Sequence, residues 1–180
     1  MIYHYAECME KFGSAYQIRK AVENGELYFL QKGLYSDREH VSELSMIAAQ
    51  YPKAVFTMRN TFYYYGLTEV KPDQYDLATE RNSTKIHNKL VRQFFYPDSF
   101  FEQGITKIIY QGTQLRVYNK ERMLIELVRY RTKFPYGYYK ELISSYRKIL
   151  PDLDIEKIEN YAADAPHSDN VIQILQAEVF

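Results

Sequence analysis

Glycine punctuates the start of this chain so regularly that few folds can accommodate it. In FGSAYQIRKAVENGELYFLQKGLYS, residues 12–36, glycines stand at 13, 25 and 33, where one element must stop and another begin. Before Gly13, Tyr5, Cys8, Met9 and Phe12 recur at three-four spacing, so residues 3–12 read as a short helix with one apolar side. Ser14 is a suitable N-cap for the next helix, because its hydroxyl can accept an otherwise free amide of the first turn. There Ala15, Ile18, Ala21 and Val22 share the inward face, and Tyr16, Gln17, Arg19, Lys20 and Glu23 lie outward. Asn24-Gly25 supplies a left-handed stop. ELYFL and GLYS then flank Gln31-Lys32-Gly33, a tight hairpin by its turn residues.

Helix, turn, second helix with a polar and basic face, then hairpin is the winged helix-turn-helix arrangement. A second helix of this kind fits the major groove, and Gln17, Arg19 and Lys20 are side chains that reach base edges or phosphates. The hairpin tip, with Gln31 and Lys32, would lie along the backbone, and the helix N-terminus at Ser14 can receive a phosphate. A winged helix that docks onto a protein gives the same pattern. Residues 1–40 carry five basic and six acidic side chains, and this net charge of −1 opposes the phosphate neutralisation on which DNA affinity rests.

The polar run YSDREHVS, residues 35–42, marks a boundary, placing a trimmed winged helix at residues 1–38 and an α+β domain at 39–180. In the second part, VSELSMIAAQY reads as a helix stopped by Pro52, and TMRNTFYYYGL as another ended by Gly66. Residues 74–79 and 91–96 read as strands, and 105–118 as a hairpin turning on Gln111-Gly112. Asn119 caps a helix that buries Leu124, Leu127 and Val128. Its other stripe of Arg122, Glu126, Arg129 and Lys133 has the spacing for mutual salt bridges. Residues 138–149, 155–162 and 171–178 complete the helices. The fold class expected is α+β.

The overall charge of zero hides an asymmetry: residues 103–148 hold ten basic and three acidic side chains, and 149–180 hold one basic and seven acidic. Either the basic block offers a face to an anionic partner, or the acidic tail folds over it. Hydrophobic residues make up 46%, enough for a core, yet no apolar run approaches the about 18 residues that a membrane span needs. MIYHYAECMEKFG lacks the basic-then-apolar order of a signal peptide. A lone Cys8 precludes an internal disulfide and a cysteine-based zinc site. A cytoplasmic protein, with no membrane partner, is expected.

The order Gly13, Ile18, Gly25-Glu26-Leu27, Gly33-Leu34-Tyr35 resembles the N-terminal winged helix of the AbiEi family, antitoxins of type IV toxin–antitoxin and abortive-infection systems. The resemblance continues in NTFYYYGLT, residues 60–68, where that family has S-A-L-x-x-x-G-L-T, with Tyr and Phe replacing smaller residues here. It continues again in YNKERMLIEL, residues 118–127, against S-x-E-R-T-L-x-D: Glu121 and Arg122 are kept, Met123 replaces threonine and Glu126 stands for aspartate. The first helix of the family's three-helix winged domain is missing or trimmed at Met1. The resemblance implies a DNA-binding autorepressor of its own promoter. It also implies a C-terminal domain that counteracts a nucleotidyltransferase-type toxin, with no stable complex required. By matching position, the DNA-facing residues are Ser14, Tyr16, Gln17, Arg19, Lys20 and Lys32, and the antitoxin motif is Glu121, Arg122 and Glu126.

Enzymatic readings are weaker. His4, His40, His87 and His167 are far apart, no phosphate-binding or nucleophile motif is present, and Cys8 sits on an apolar face. No catalytic residue, metal ligand or cofactor is expected. Glu69-Val70-Lys71 resembles half of a magnesium-dependent nuclease site, but no aspartate lies between residues 41 and 68, and the turn at Pro72-Asp73 accounts for the same residues. Phe62, Tyr63, Tyr64 and Tyr65 cannot all point inward from one helix, so at least one is expected on the surface. The competing reading is a protein-interaction module using the winged helix and the basic block.

Overall fold

A computed structural model describes all residues, 1–180, as a mixed α+β protein in two compact units, Met1–Pro52 and Lys53–Phe180. The division falls after Pro52 rather than after residue 38. The helix that follows the polar run therefore goes with the N-terminal unit, because a break in composition need not be a break in packing.

The N-terminal unit runs β1 (Ile2–His4), α1 (Tyr5–Phe12), α2 (Ala15–Glu23), β2 (Tyr28–Gln31), β3 (Leu34–Ser36) and α3 (Glu43–Gln50). Its sheet has the order β1-β3-β2, all antiparallel, with Tyr3 opposite Tyr35 and Phe29 opposite Tyr35 on the other side. Tyr3 and His4, read from sequence as helical, belong to β1. The chain turns at His4, whose main-chain N–H donates to Glu7 Oε2 at 2.6 Å and so begins α1 at Tyr5. Gly13 at φ +79° ends α1, and Ser14 Oγ accepts from Gln17 N at 3.2 Å to open α2. Cys8, Ile18, Ala21 and Leu27 form the core here, with Tyr3, Met9, Phe12, Val22 and Tyr35 packed around them. Ala15, expected inward, is exposed, and so is Tyr5.

The C-terminal unit is a five-stranded sheet of order β6-β5-β4-β8-β7, built from β4 (Val55–Phe56), β5 (Tyr75–Glu80), β6 (Val91–Tyr96), β7 (Ile105–Tyr110) and β8 (Thr113–Tyr118). The β4–β8 and β5–β6 pairs are parallel, and β4–β5 and β7–β8 antiparallel. Six helices accompany it: α4 (Met58–Tyr64), α5 (Asp98–Phe101), α6 (Lys120–Arg129), α7 (Tyr136–Ile149), α8 (Ile155–Asp164) and α9 (Ser168–Glu178). Alternate strand residues Val55, Ala78, Tyr96 and Tyr118 join Phe62, Leu124, Leu142, Ile158 and Leu175 of the helices in one core. The two-residue β4 lies at the centre of the sheet, although neither it nor the single turn α5 is visible as a periodicity.

Helix α6 is buried on every side from Arg122 to Val128, including its two charged residues. Of the stripe expected to form mutual salt bridges, Arg122 and Glu126 are therefore inside the domain, Arg129 is half-buried beside them and Lys133 is exposed, so the two buried charges must find partners there.

Candidate functional site

The DNA-facing residues expected from sequence all belong to the N-terminal unit. Helix α2 turns Ile18 and Ala21 into the core, which leaves Tyr16, Gln17, Arg19 and Lys20 exposed on the other side; Tyr16 keeps 67% of its surface. Arg19, Lys20 and Lys32 join no ion pair within the chain, so their charges face solvent. Lys32 is exposed in the β2–β3 turn, next to Gly33 at φ +84°, a conformation that glycine adopts without strain. Ser14 is half-buried and its hydroxyl accepts the Gln17 N–H, so it positions the helix start. Residues 1–52 hold five basic and seven acidic side chains, so the unit remains slightly acidic. Large apolar side chains are also exposed here, among them Tyr16 on α2 and Phe29 on β2.

Glu121, Arg122 and Glu126 separate. Arg122 and Glu126 are both fully buried. Arg122 Nε and Nη2 donate to Glu126 Oε1 at 3.0 and 2.8 Å, and Arg122 Nη1 donates to the carbonyls of Phe100 and Gln103 at 2.6 and 2.9 Å. The guanidinium lies 3.4 Å from the centre of the Phe100 ring. Arg129 approaches the same carboxylate at 2.9 and 3.0 Å, and the Tyr96 hydroxyl donates to Glu126 Oε2 at 2.9 Å. Burial, reinforced by the Glu126 charge, pushes the Tyr96 hydroxyl well above its ordinary range, so it stays protonated and donates. The Arg122–Glu126 pair thus forms a charged hub inside the core. Glu121, half-buried, instead accepts from the Asp154 N–H at 3.3 Å, tying α6 to the start of α8.

No family model matches the chain, and no curated protein sequence matches it. Among solved structures it resembles the crystal structure of the RV2827C protein from Mycobacterium tuberculosis, with a TM-score of 0.65 at 14% identity. The match covers 99% of this chain and 72% of that one, and the likeness is one of fold.

Glu69 and Lys71 are exposed in the irregular segment between α4 and β5, and no three His, Cys, Asp or Glu side chains come together as a metal site. The tyrosine run differs from expectation: Phe62 is buried, and Tyr63, Tyr64 and Tyr65 are all half-buried. Neighbouring rings take up the excess, with Tyr64 stacked 4.4 Å from Tyr110, and Tyr65 donating to the Tyr118 carbonyl at 2.8 Å.

The acidic tail meets part of the basic block. Glu178 receives Arg131 and Lys140 at 3.5 Å each, and its carbonyl accepts from Arg147 at 2.9 Å. Lys107, Lys133 and Lys148 remain exposed. Sequence reasoning missed a further polar cluster on the sheet. Asp76, buried on β5, holds Arg92 of β6 by Nε and Nη2 at 2.7 and 2.6 Å, and accepts the Arg59 main-chain N–H at 3.1 Å. The signal for it is an aspartate on the inward face of a strand, in QYDLAT.

Proposed function

We propose that the chain is an AbiEi-like antitoxin, a DNA-binding repressor of its own promoter that counteracts a nucleotidyltransferase-type toxin without requiring a stable complex with it. The observation that carries the DNA-binding half is the order β1-α1-α2-β2-β3 with β1 and β2 on either side of β3, and an α2 whose outward face is Tyr16, Gln17, Arg19 and Lys20. A winged helix has this plan, and the uncompensated Arg19, Lys20 and Lys32 are the cations it would present to phosphates. The toxin-directed half rests on the resemblance in residues 60–68 and 118–127 alone.

A salt-dependent gel shift on the chain's own upstream DNA tests the reading, with the parent beside Arg19→Ala/Lys20→Ala. Salt-sensitive binding by the parent that the double variant loses is the expected result. Absence of binding at low salt removes the repressor.

A second reading has an observation of its own. The acidic balance of residues 1–52, with Tyr16 and Phe29 both exposed, favours a winged helix that docks onto a protein. Under that reading Tyr16→Ala or Phe29→Ala weakens partner binding, and Arg19→Ala/Lys20→Ala leaves it unchanged.

A further inference from the structure

The cluster around Asp76 leaves hydrogen-bond donors unused. Asp76 Oδ1 accepts both bonds from Arg92, and Oδ2 accepts the main-chain N–H of Arg59. The Asp76 N–H is itself occupied, donating to Asn60 Oδ1 at 2.7 Å. Arg92 therefore answers the buried carboxylate, and the Arg59 guanidinium has no acceptor. That guanidinium is half-buried, 5.8 Å from the centre of the Phe134 ring. Tyr138 packs its ring 5.6 Å from Phe134, and its buried hydroxyl has no hydrogen-bond partner, although the charges of Arg59 and Asp76 both act on it. Arg92 is 37% exposed, lies over the Phe94 ring at 5.8 Å, and has its Nη1 amine uncommitted.

Arg59 and Tyr138 thus share the Phe134 ring, both guanidinium groups lie within electrostatic range of the Asp76 carboxylate, and only one of the two positive charges is matched by a hydrogen-bonded partner. Planar guanidinium forks are shaped for an anion with several oxygens, and a half-buried setting strengthens such bonds over those made in open water. A single carboxylate, already present as Asp76, does not satisfy them. We propose that the side chains of Arg59, Arg92 and Tyr138 bind a phosphoryl group, carried by free phosphate or by a phosphomonoester such as a nucleotide. Phe94 and Phe134 flank the two arginines and provide apolar walls beside the anion. This site is separate from the N-terminal unit and does not depend on its binding DNA.

Isothermal titration of the full chain at constant ionic strength, with inorganic phosphate in one arm and adenosine monophosphate in the other, tests it. Saturable binding by the parent is expected, weakened about tenfold or more in Arg59→Ala and in Tyr138→Phe, and unchanged in Lys107→Ala on β7. Arg59→Ala removes a side chain that makes no hydrogen bond, and Tyr138→Phe removes only a hydroxyl, so both should fold where Arg92→Ala would strand Asp76. Tighter binding of the nucleotide assigns the site to phosphomonoesters, and equal affinities assign it to free phosphate. No saturable binding in either arm, or the same affinity in both variants as in the parent, overturns the proposal.

Discussion

Arg122 and Glu126 meet one helical turn apart inside the C-terminal unit, at 2.8 and 3.0 Å, with no solvent exposure for either side chain. Glu126 also receives Arg129 and Tyr96, so one carboxylate answers two guanidinium groups. Removing it leaves both facing a low-dielectric interior. Glu126→Ala is expected to cost about 3–5 kcal/mol in equilibrium denaturation. Arg129→Ala, which leaves the Arg122 pair intact, is expected to cost less than half of that. Equal losses from the two substitutions would show that Glu126 does not organise the cluster.

Gly104 touches the same arginine from outside. It lies at φ +76°, and a Cβ there would stand 2.6 Å from Arg122 Cβ and 3.1 Å from Asn119 Oδ1. Gly104→Ala combines backbone strain with a clash against a helix start that has no room to retreat. A loss of about 2–4 kcal/mol is expected by chemical denaturation. Gly112→Ala, at the same φ but with open space around it, should cost only the strain. If the two variants are equally stable, the approach to Arg122 is not tight.

Asp76 sets a dependence on pH of unusual sign. Burial is the larger influence on its carboxyl and raises it, and Arg92 opposes this only in part. The folded state therefore holds the Asp76 proton more tightly than the unfolded chain. Its contribution grows as pH falls from the raised value towards the ordinary carboxylate range, and disappears above the raised value. Asp37 and Asp154 act oppositely: their interactions with the N-terminus and with Lys157 lower their carboxyl values, so their contribution is present above the ordinary range and fades as pH falls through the lowered one. In Asp76→Asn the acid-side gain should vanish, so the stability difference from the parent should vary with pH just above the ordinary carboxylate range and stay flat at neutral pH. A carbon-13 titration placing the Asp76 carboxyl at or below its ordinary value would contradict this.

For the N-terminal unit the prediction concerns a slope. Removing one phosphate-neutralising cation should reduce the dependence of log K on log salt by about 0.9. Lys32→Ala is thus expected to flatten the slope by about one such step and Arg19→Ala/Lys20→Ala by up to about two, with Gln17→Ala changing sequence preference more than slope. Fluorescence anisotropy on labelled upstream DNA and on an unrelated duplex separates these effects. A slope unchanged by every one of these substitutions would place the DNA-binding surface elsewhere.

Much of the local structure was legible because short-range rules govern it. Gly13, Ser14 and the hairpin at Gln111-Gly112 act through their own backbone preferences, and the elements stop and start where those residues stand. The exposed face of α2 followed from helical spacing alone, since Ile18 and Ala21 are its only fully buried positions. By contrast β4, two residues long, has no period to detect, and its central place comes from pairing with β5 and β8. The tyrosines of α4 depart from expectation for a similar reason: Tyr110, distant in sequence, supplies the ring on which Tyr64 stacks.

The sequence by itself determined the stop at Gly13, the helix start at Ser14, the turn at Gln111-Gly112 and which side of α2 faces solvent. These depend on glycine, on capping and on apolar spacing over a few residues. The tertiary structure alone decided what the charged residues do. Arg122 and Glu126 have the spacing of a surface pair, and only the packing of α6 beneath β6, α5 and α8 turned them into a buried hub. Asp76, Arg59, Arg92 and Tyr138 come from four separate elements, and only sheet pairing and the placement of α4 and α7 gather them. Electrostatic meaning depends on distance and burial, and both are properties of the folded chain rather than of its order of residues.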